Sequence, residues 1–224
     1  MTTSLQMPKA TVDASAFRRR AGARLRRVDA IAAVGGATQP VSNGPSDFDL
    51  NPDYAALAPA VARPAAVLIG VVMRQPLSVL FTLRTAHLAA HAGQVAFPGG
   101  KVEPGDSDPT ATALREAEEE IGLERRLVEP LGFLDTYRTG TGFAIHPLVA
   151  LVKPAFDLKP DPNEVADVFE VPLEFLMHPA NARLETRFWR GRDRRFYALS
   201  YGGYDIWGAT AGILHHMRER LFEE

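Results

Sequence analysis

Between Asp108 and Gly122 the chain spells one helix with both ends marked, and the charge layout of that helix limits what can surround it. Asp108 can accept hydrogen bonds from the first free backbone N–H groups, and Pro109 fits the first helical position, where no N–H is needed. Alanines and Leu114 carry the helix forward, and Gly122 suits its C-terminal end. Glu116, Glu119 and Glu120 fall at i, i+3 and i+4, so three carboxylates project from one side. In an isolated helix each like-charge pair at such spacing costs roughly a few tenths of a kcal/mol, and the dipole of the helix C-terminus adds to that cost. A bound cation would offset both.

Hard divalent ions take oxygen ligands, and Mg²⁺ at a phosphate site combines one or two carboxylates with phosphate oxygens and water. Just upstream, Phe97-Pro98-Gly99-Gly100 forms a turn whose glycines let backbone approach the same spot. Arg115 adjoins the carboxylates and can orient one through its planar fork of donors. Three glutamates alone would read as a solvated acidic face. The turn, the cap, Arg115 and the terminal glycine together point instead to a multi-part phosphate site.

The run REAEEEIGL, from Arg115 to Leu123, resembles the second half of the Nudix box, REUxEExGU with U an aliphatic residue. The first half departs from that pattern. Counting back from Arg115, the expected Gly and Glu positions hold Lys101 and Ser107; one extra residue in the turn restores Gly100 and puts Asp106 where a glutamate is usual. Upstream, Leu80-Phe81-Thr82-Leu83-Arg84-Thr85, then Gly93 and FPGG, is similar to the signature of the coenzyme A pyrophosphatase branch, LLTxR[SA]x3Rx3Gx3FPGG. Phe81 replaces a Leu, Thr85 a small residue, and Ala89 stands where that signature has Arg. With EVADVFEVPLEFLMHPAN and IWGATAGIL downstream, the resemblance covers about residues 65 to 215.

This resemblance implies an α/β fold, the Nudix α/β/α sandwich with a mixed β-sheet. It implies hydrolysis of the pyrophosphate bond of coenzyme A or its thioesters to 3′,5′-ADP and 4′-(acyl)phosphopantetheine, with Mg²⁺ or Mn²⁺ as cofactor. Metal ligation falls to Glu116 and Glu120, with Glu119 as a further ligand or as the base and Gly100 lending its carbonyl. Arg115 holds the carboxylates, while Arg84, Gly93, Phe97 and Gly99 are placed at the substrate. The general base stays open between Glu119 and Glu164, the latter on a loop. Rival readings are a Nudix hydrolase for ADP-ribose or a dinucleoside polyphosphate, and a nucleotide-binding module without chemistry.

A chain of 224 residues with 46% hydrophobic and 23% charged content has the composition of an ordinary globular protein. Its 25 basic and 27 acidic residues leave a net charge of −2, so no overall field recruits nucleic acid. The absence of cysteine excludes disulfides and thiolate chemistry. No apolar run reaches the roughly 18 residues that span a bilayer, and no signal-peptide pattern opens the chain, so a cytoplasmic protein without a membrane partner is expected. Dimerisation to a homodimer is left open.

Two regions are expected: an N-terminal extension over 1–64 and the hydrolase domain over 65–224. Within the extension, residues 1 to about 14 read as irregular, Ser15 to Ala33 as an amphipathic helix carrying six arginines, and 34 to 64 as a Pro- and Gly-rich connector with one helical turn. The apolar stripe Phe17, Ala21, Leu25, Val28 and Ala32 favours docking, with the basic face in solvent. Strand patterns cover Ala65 to Met73, Ser78 to Arg84, Leu127 to Tyr137, Phe143 to Val152 and the stretch around Val168 to Val171. His87 and His91 read as a turn or surface pair rather than a metal site. Residues 183 to 207 suggest a basic, aromatic hairpin packed on the core, and Gly208 to Phe222 a closing amphipathic helix.

Overall fold

The computed structural model describes residues 12–30, 39–40, 44–57, 61–88, 91–189 and 191–223. In chain order its strands are β1 (Gln39–Pro40), β2 (Val61–Val72), β3 (Ser78–Arg84), β4 (Val95–Ala96), β5 (Gly99–Lys101) and β6 (Val128–Phe133). Then come β7 (Tyr137–Arg138), β8 (Phe143–Val152), β9 (Val165–Pro172), β10 (Arg183–Trp189), β11 (Arg192–Tyr201) and β12 (Tyr204–Trp207). The helices are α1 (Ala14–Arg24), α2 (Pro109–Ile121), α3 (Leu173–Met177) and α4 (Ala209–Phe222).

Two apolar strands set the architecture. β2 and β8 run parallel, from Arg63 opposite Phe143 to Val72 opposite Val152, while β3, β5, β6 and β9 add antiparallel pairings, so the sheet is mixed. Successive side chains of a strand point to opposite faces, and here both faces are apolar. Leu68 and Val72 of β2 and Leu148, Ala150 and Val152 of β8 pack with Ala113, Ala117 and Ile121 of α2. Ile69, Val71, Val149 and Leu151 pack on the other face, with Phe17 of α1, Leu176 of α3 and Leu214 and Met217 of α4. Helices on both faces of a mixed sheet make the expected α/β/α sandwich.

The N-terminal helix is shorter than its arginine-rich pattern predicts. It ends at Arg24, and Leu25 turns extended. Arg26 then exchanges backbone hydrogen bonds with Phe133 at 2.9 and 2.8 Å, so sheet pairing replaces the next helical turn. A 3-10 turn follows at Val28–Ala30, and the remainder of the expected helix, including Ala32, lies outside the described residues. As expected, the helix docks through its apolar stripe: Phe17 and Ala21 are fully buried, and Arg18 pairs with Glu129 on the sheet at 2.7 Å. The connector contributes the 3-10 helix Pro52–Leu57 and wraps against β7 and β11. Residues 1–11 and the Gly35-Gly36 pair are outside the described residues.

The hairpin at 183 to 207 gains a third strand, forming a separate sheet in the order β10-β11-β12. Its aromatics divide in a way the sequence did not show. Phe196 is buried, but Phe188 is 70% exposed, so that ring is not packed on the core.

Candidate active site

The site grows from a close approach between β5 and the sheet. Gly99 lies opposite Val67 and Gly100 opposite Ala66. A Cβ on Gly99 would stand 2.4 Å from the carbonyl oxygen of Ala66, so no side chain fits there. A Cβ on Gly100 would stand 2.3 Å from Oε1 of Glu116. The glycine corner therefore lies directly on the acidic face of α2. That helix is held as its sequence indicates: Asp108 accepts from the N–H groups of Thr110 and Ala111 at 2.7 and 3.0 Å, and Gly122 closes it in the left-handed conformation.

Glu120 faces into this corner. It is 5% exposed, and its Oε2 accepts the Gly99 N–H at 3.1 Å. Arg84, at the end of β3, brings Nη1 to 3.5 Å from the Oε1 of Glu120, while its buried Nε has no hydrogen-bond partner. Burial pushes the Glu120 carboxyl up to about 7; the Gly99 N–H and Arg84 act against this, and the charges of Glu116 and Glu164 reinforce it. Glu116 is also raised, by burial first and by Glu119 and Glu164 after it, with Arg115 opposing. Two raised carboxyls therefore stand side by side, burial being the larger part of the cost and the like-charge crowding expected from the sequence the smaller part.

Arg115 organises the cluster. Its Nη1 donates to Glu116 at 3.0 Å and to Glu119 at 2.9 Å, and its Nη2 donates to the Lys101 carbonyl at 3.1 Å. Its Nε and Nη2 also grip both oxygens of Asp106 at 3.0 Å each. Asp106 further accepts from the Thr112 hydroxyl and the Glu103 N–H. The Arg115 guanidinium, above all, holds the Asp106 carboxyl down at about 2. Sequence reasoning left Asp106 without a role. The structure makes it the anchor of Arg115, and the one-residue shift in the turn was the signal that pointed to it.

The other expected residues divide. Glu119 is 61% exposed at its side chain and reaches the cluster through Arg115. Glu164 lies on the loop before β9, where its carbonyl accepts the Thr85 N–H at 3.0 Å, and its charge is felt by both Glu116 and Glu120. Gly93 occupies an exposed turn beside Thr85. The Phe97 ring, expected at the substrate, is instead 3% exposed in the core and stacked on Phe81, because an apolar strand end leaves it nowhere else to go. His87 contacts the Asn163 carbonyl and His91 contacts Gln94, so the two serve separate turns. Ala89 lies outside the described residues.

Among the described residues no three His, Asp or Glu side chains gather tightly enough to close a metal site alone. Glu116 and Glu120 supply two carboxylates against a glycine corner, which matches a hard divalent ion completed by phosphate oxygens and water. The unpartnered Arg84 Nε leaves donor capacity beside them for an anion.

The NUDIX domain profile matches residues 62–193. Over 159 residues the chain is 40% identical to a protein of Photorhabdus laumondii subsp. laumondii described as uncharacterized Nudix hydrolase NudL, a match covering 71% of this chain and 85% of that one. NudL of Escherichia coli strain K12 is 40% identical over 155 residues, covering 69% and 81%. A solved Nudix hydrolase from M. Smegmatis, RenU, aligns at 20% identity with a TM-score of 0.45, over 65% of this chain and 87% of that one. The chain belongs to the Nudix hydrolase family. It is an enzyme of the pyrophosphatase kind, as the box resemblance implied. No helix among the described residues is long and apolar enough to cross a membrane.

Proposed function

We propose that this Nudix hydrolase cleaves the pyrophosphate bond of coenzyme A or its thioesters, releasing 3′,5′-ADP and 4′-(acyl)phosphopantetheine. The observation that carries the reading is the meeting of two motif parts. Arg84, from the LFTLRT run, stands 3.5 Å from Glu120, whose other oxygen takes the N–H of Gly99 in FPGG. The run that resembles the coenzyme A branch thus feeds the same corner as the Nudix helix, and its arginine keeps a donor free for a phosphate.

Mg²⁺ or Mn²⁺ in this reading is held by Glu116 and Glu120, with Gly100 contributing its carbonyl and Glu119 at the margin. Such an ion supplies charge neutralisation on the pyrophosphate oxygens and a more acidic water. Arg115, fixed by Asp106, keeps the Glu116 carboxylate aimed at the glycine corner. Arg84 binds a substrate phosphate and orients it for in-line attack. Glu164 is the better base of the two candidates: Glu119 is tied to Arg115 at 2.9 Å, whereas Glu164 reaches the same field from an exposed loop. The hydrolase domain in this reading is 65–224 together with the first residues of β2 from Val61, which already pair with β8 at Arg63, and the rest of 1–64 is an extension docked on it; the site of action is the cytoplasm.

Incubation with coenzyme A, acetyl-coenzyme A, ADP-ribose and a dinucleoside tetraphosphate, each with Mg²⁺, tests the assignment by product mass. Coenzyme A and its thioester are expected to be consumed fastest, with 3′,5′-ADP appearing. Preferential cleavage of ADP-ribose or the dinucleotide would overturn the substrate and keep the family.

A further inference from the structure

Among the described residues β10 is the outer strand of the small sheet. All seven residues from Arg183 to Trp189 pair one-to-one with β11, without a bulge, and the strand contains no proline and no lysine. Edge strands of folded proteins are usually blunted by such features, because a regular open edge is a template for another strand. Two of the three large hydrophobic side chains that are exposed among the described residues, Leu184 at 54% and Phe188 at 70%, belong to this edge. Alternation sets Leu184, Thr186 and Phe188 on one face and Arg183, Glu185 and Arg187 on the other.

We propose that β10 pairs antiparallel with β10 of a second copy of this chain, about a two-fold axis through Thr186, joining two three-stranded sheets into one. A two-fold normal to the sheet keeps each face with itself. In this register Leu184 falls opposite Phe188 of the second copy, and Glu185 opposite Arg187 of the second copy, each pair occurring twice. Both kinds of cross-strand pair are stabilising. The neighbouring registers fail. Centring on Glu185 sets Arg183 against Arg187, and centring on Arg187 sets that residue against itself; registers further out pair only the strand's ends. The Thr186 register alone engages all seven residues with opposite charges matched. The charged face is already ordered for this. Arg183 donates to Glu185 at 3.1 Å, and the Arg187 guanidinium lies over the Trp207 ring at 5.1 Å.

Sedimentation or light scattering of the full chain tests the proposal, with wild type expected as a dimer that dissociates on dilution. Glu185→Arg and Arg187→Glu each replace two attractions with two repulsions and are expected to raise the dissociation constant about tenfold or more. Mixing these two variants one to one should restore dimers, because every facing pair is then opposite in charge. Thr186→Cys places the chain's only cysteine on the axis. Facing residues of an antiparallel pair lie about 4.5–5.5 Å apart at Cα, within disulfide reach, so oxidation should give a covalent dimer in high yield. A wild type that stays monomeric, a dimer indifferent to both charge reversals, or single variants that weaken the dimer without mutual rescue would each overturn the proposal. The Thr186→Cys cross-link reads the register even where a charge reversal disturbs folding, and failure to cross-link likewise counts against it.

Discussion

Gly99 and Gly100 are neighbours, yet a methyl group on each would meet different things. On Gly99 it would meet backbone, the Ala66 carbonyl at 2.4 Å, which cannot yield without breaking β5 from β2. On Gly100 it would meet the end of the Glu116 side chain, which can swing away. Gly99→Ala should therefore cost several kcal/mol, on the order of 3, through forced backbone displacement. Gly100→Ala should cost under about 1 kcal/mol yet reduce turnover at least about tenfold, because the displaced carboxylate is one of the two assigned to the metal. Denaturant unfolding beside initial rates for both variants checks the contrast. Asp106 offers a pH test. Its carboxyl sits at about 2 in the folded chain, against an ordinary 3.8. The unfolded chain therefore binds the proton more readily, and the stabilisation, about 2 kcal/mol, is present above pH ~4 and lost as pH falls through 2. Asp106→Asn should be less stable than wild type by about that amount at pH 7, with the gap closing as the pH of the unfolding experiment drops from 4 toward 2. A gap that does not change with pH would contradict the ion pair.

At the scale of elements, α2 is the best-determined piece. Asp108→Ala removes the acceptor for two N–H groups and should lower stability by about 1 kcal/mol, measurable as a shifted denaturation midpoint. This helix, β8, β9 and α4 were legible in the sequence because local signals and tertiary burden agree there. Asp108 and Gly122 cap α2 as written, and the apolar run at Phe143 to Val152 is buried over its last seven residues. Elsewhere the local signal lost. The arginine-rich helix stops where Arg26 finds a backbone partner in Phe133, a contact 107 positions away in sequence that no periodicity announces. Phe97 carries the motif yet buries its ring, since a motif letter does not say which way a side chain points. In the site, the trio of glutamates was readable as one face, but not its division into the buried Glu120, the half-buried Glu116 and the solvated Glu119, the last two both held by Arg115. The single extra residue in the turn marked the position of Asp106 but not its hold on Arg115.

The molecule as a whole is held together around two anchors, one structural and one chemical. Asp47, in the connector, accepts from the buried Tyr137 hydroxyl at 3.0 Å, the Gly140 N–H at 2.8 Å and Arg194 at 2.6 Å. It thereby ties the N-terminal segment to both sheets. Asp47→Ala strands these donors and should lower global stability by about 2–4 kcal/mol, seen as a lower thermal midpoint with little loss of turnover below it. The chemical anchor is the pair of raised carboxyls on α2, which without a cation are crowded at a cost. The most direct test is a titration of Mn²⁺ into wild type and Glu120→Gln, following the thermal midpoint and the hydrolysis rate together. Wild type is expected to gain stability as the ion binds, in line with linkage. Glu120→Gln, similar in shape but without the charge, should start at least as stable, gain little, and turn over roughly a hundredfold or more slowly. Equal stabilisation of both proteins by Mn²⁺, with equal rates, would contradict the assignment of this corner as the metal and pyrophosphate site.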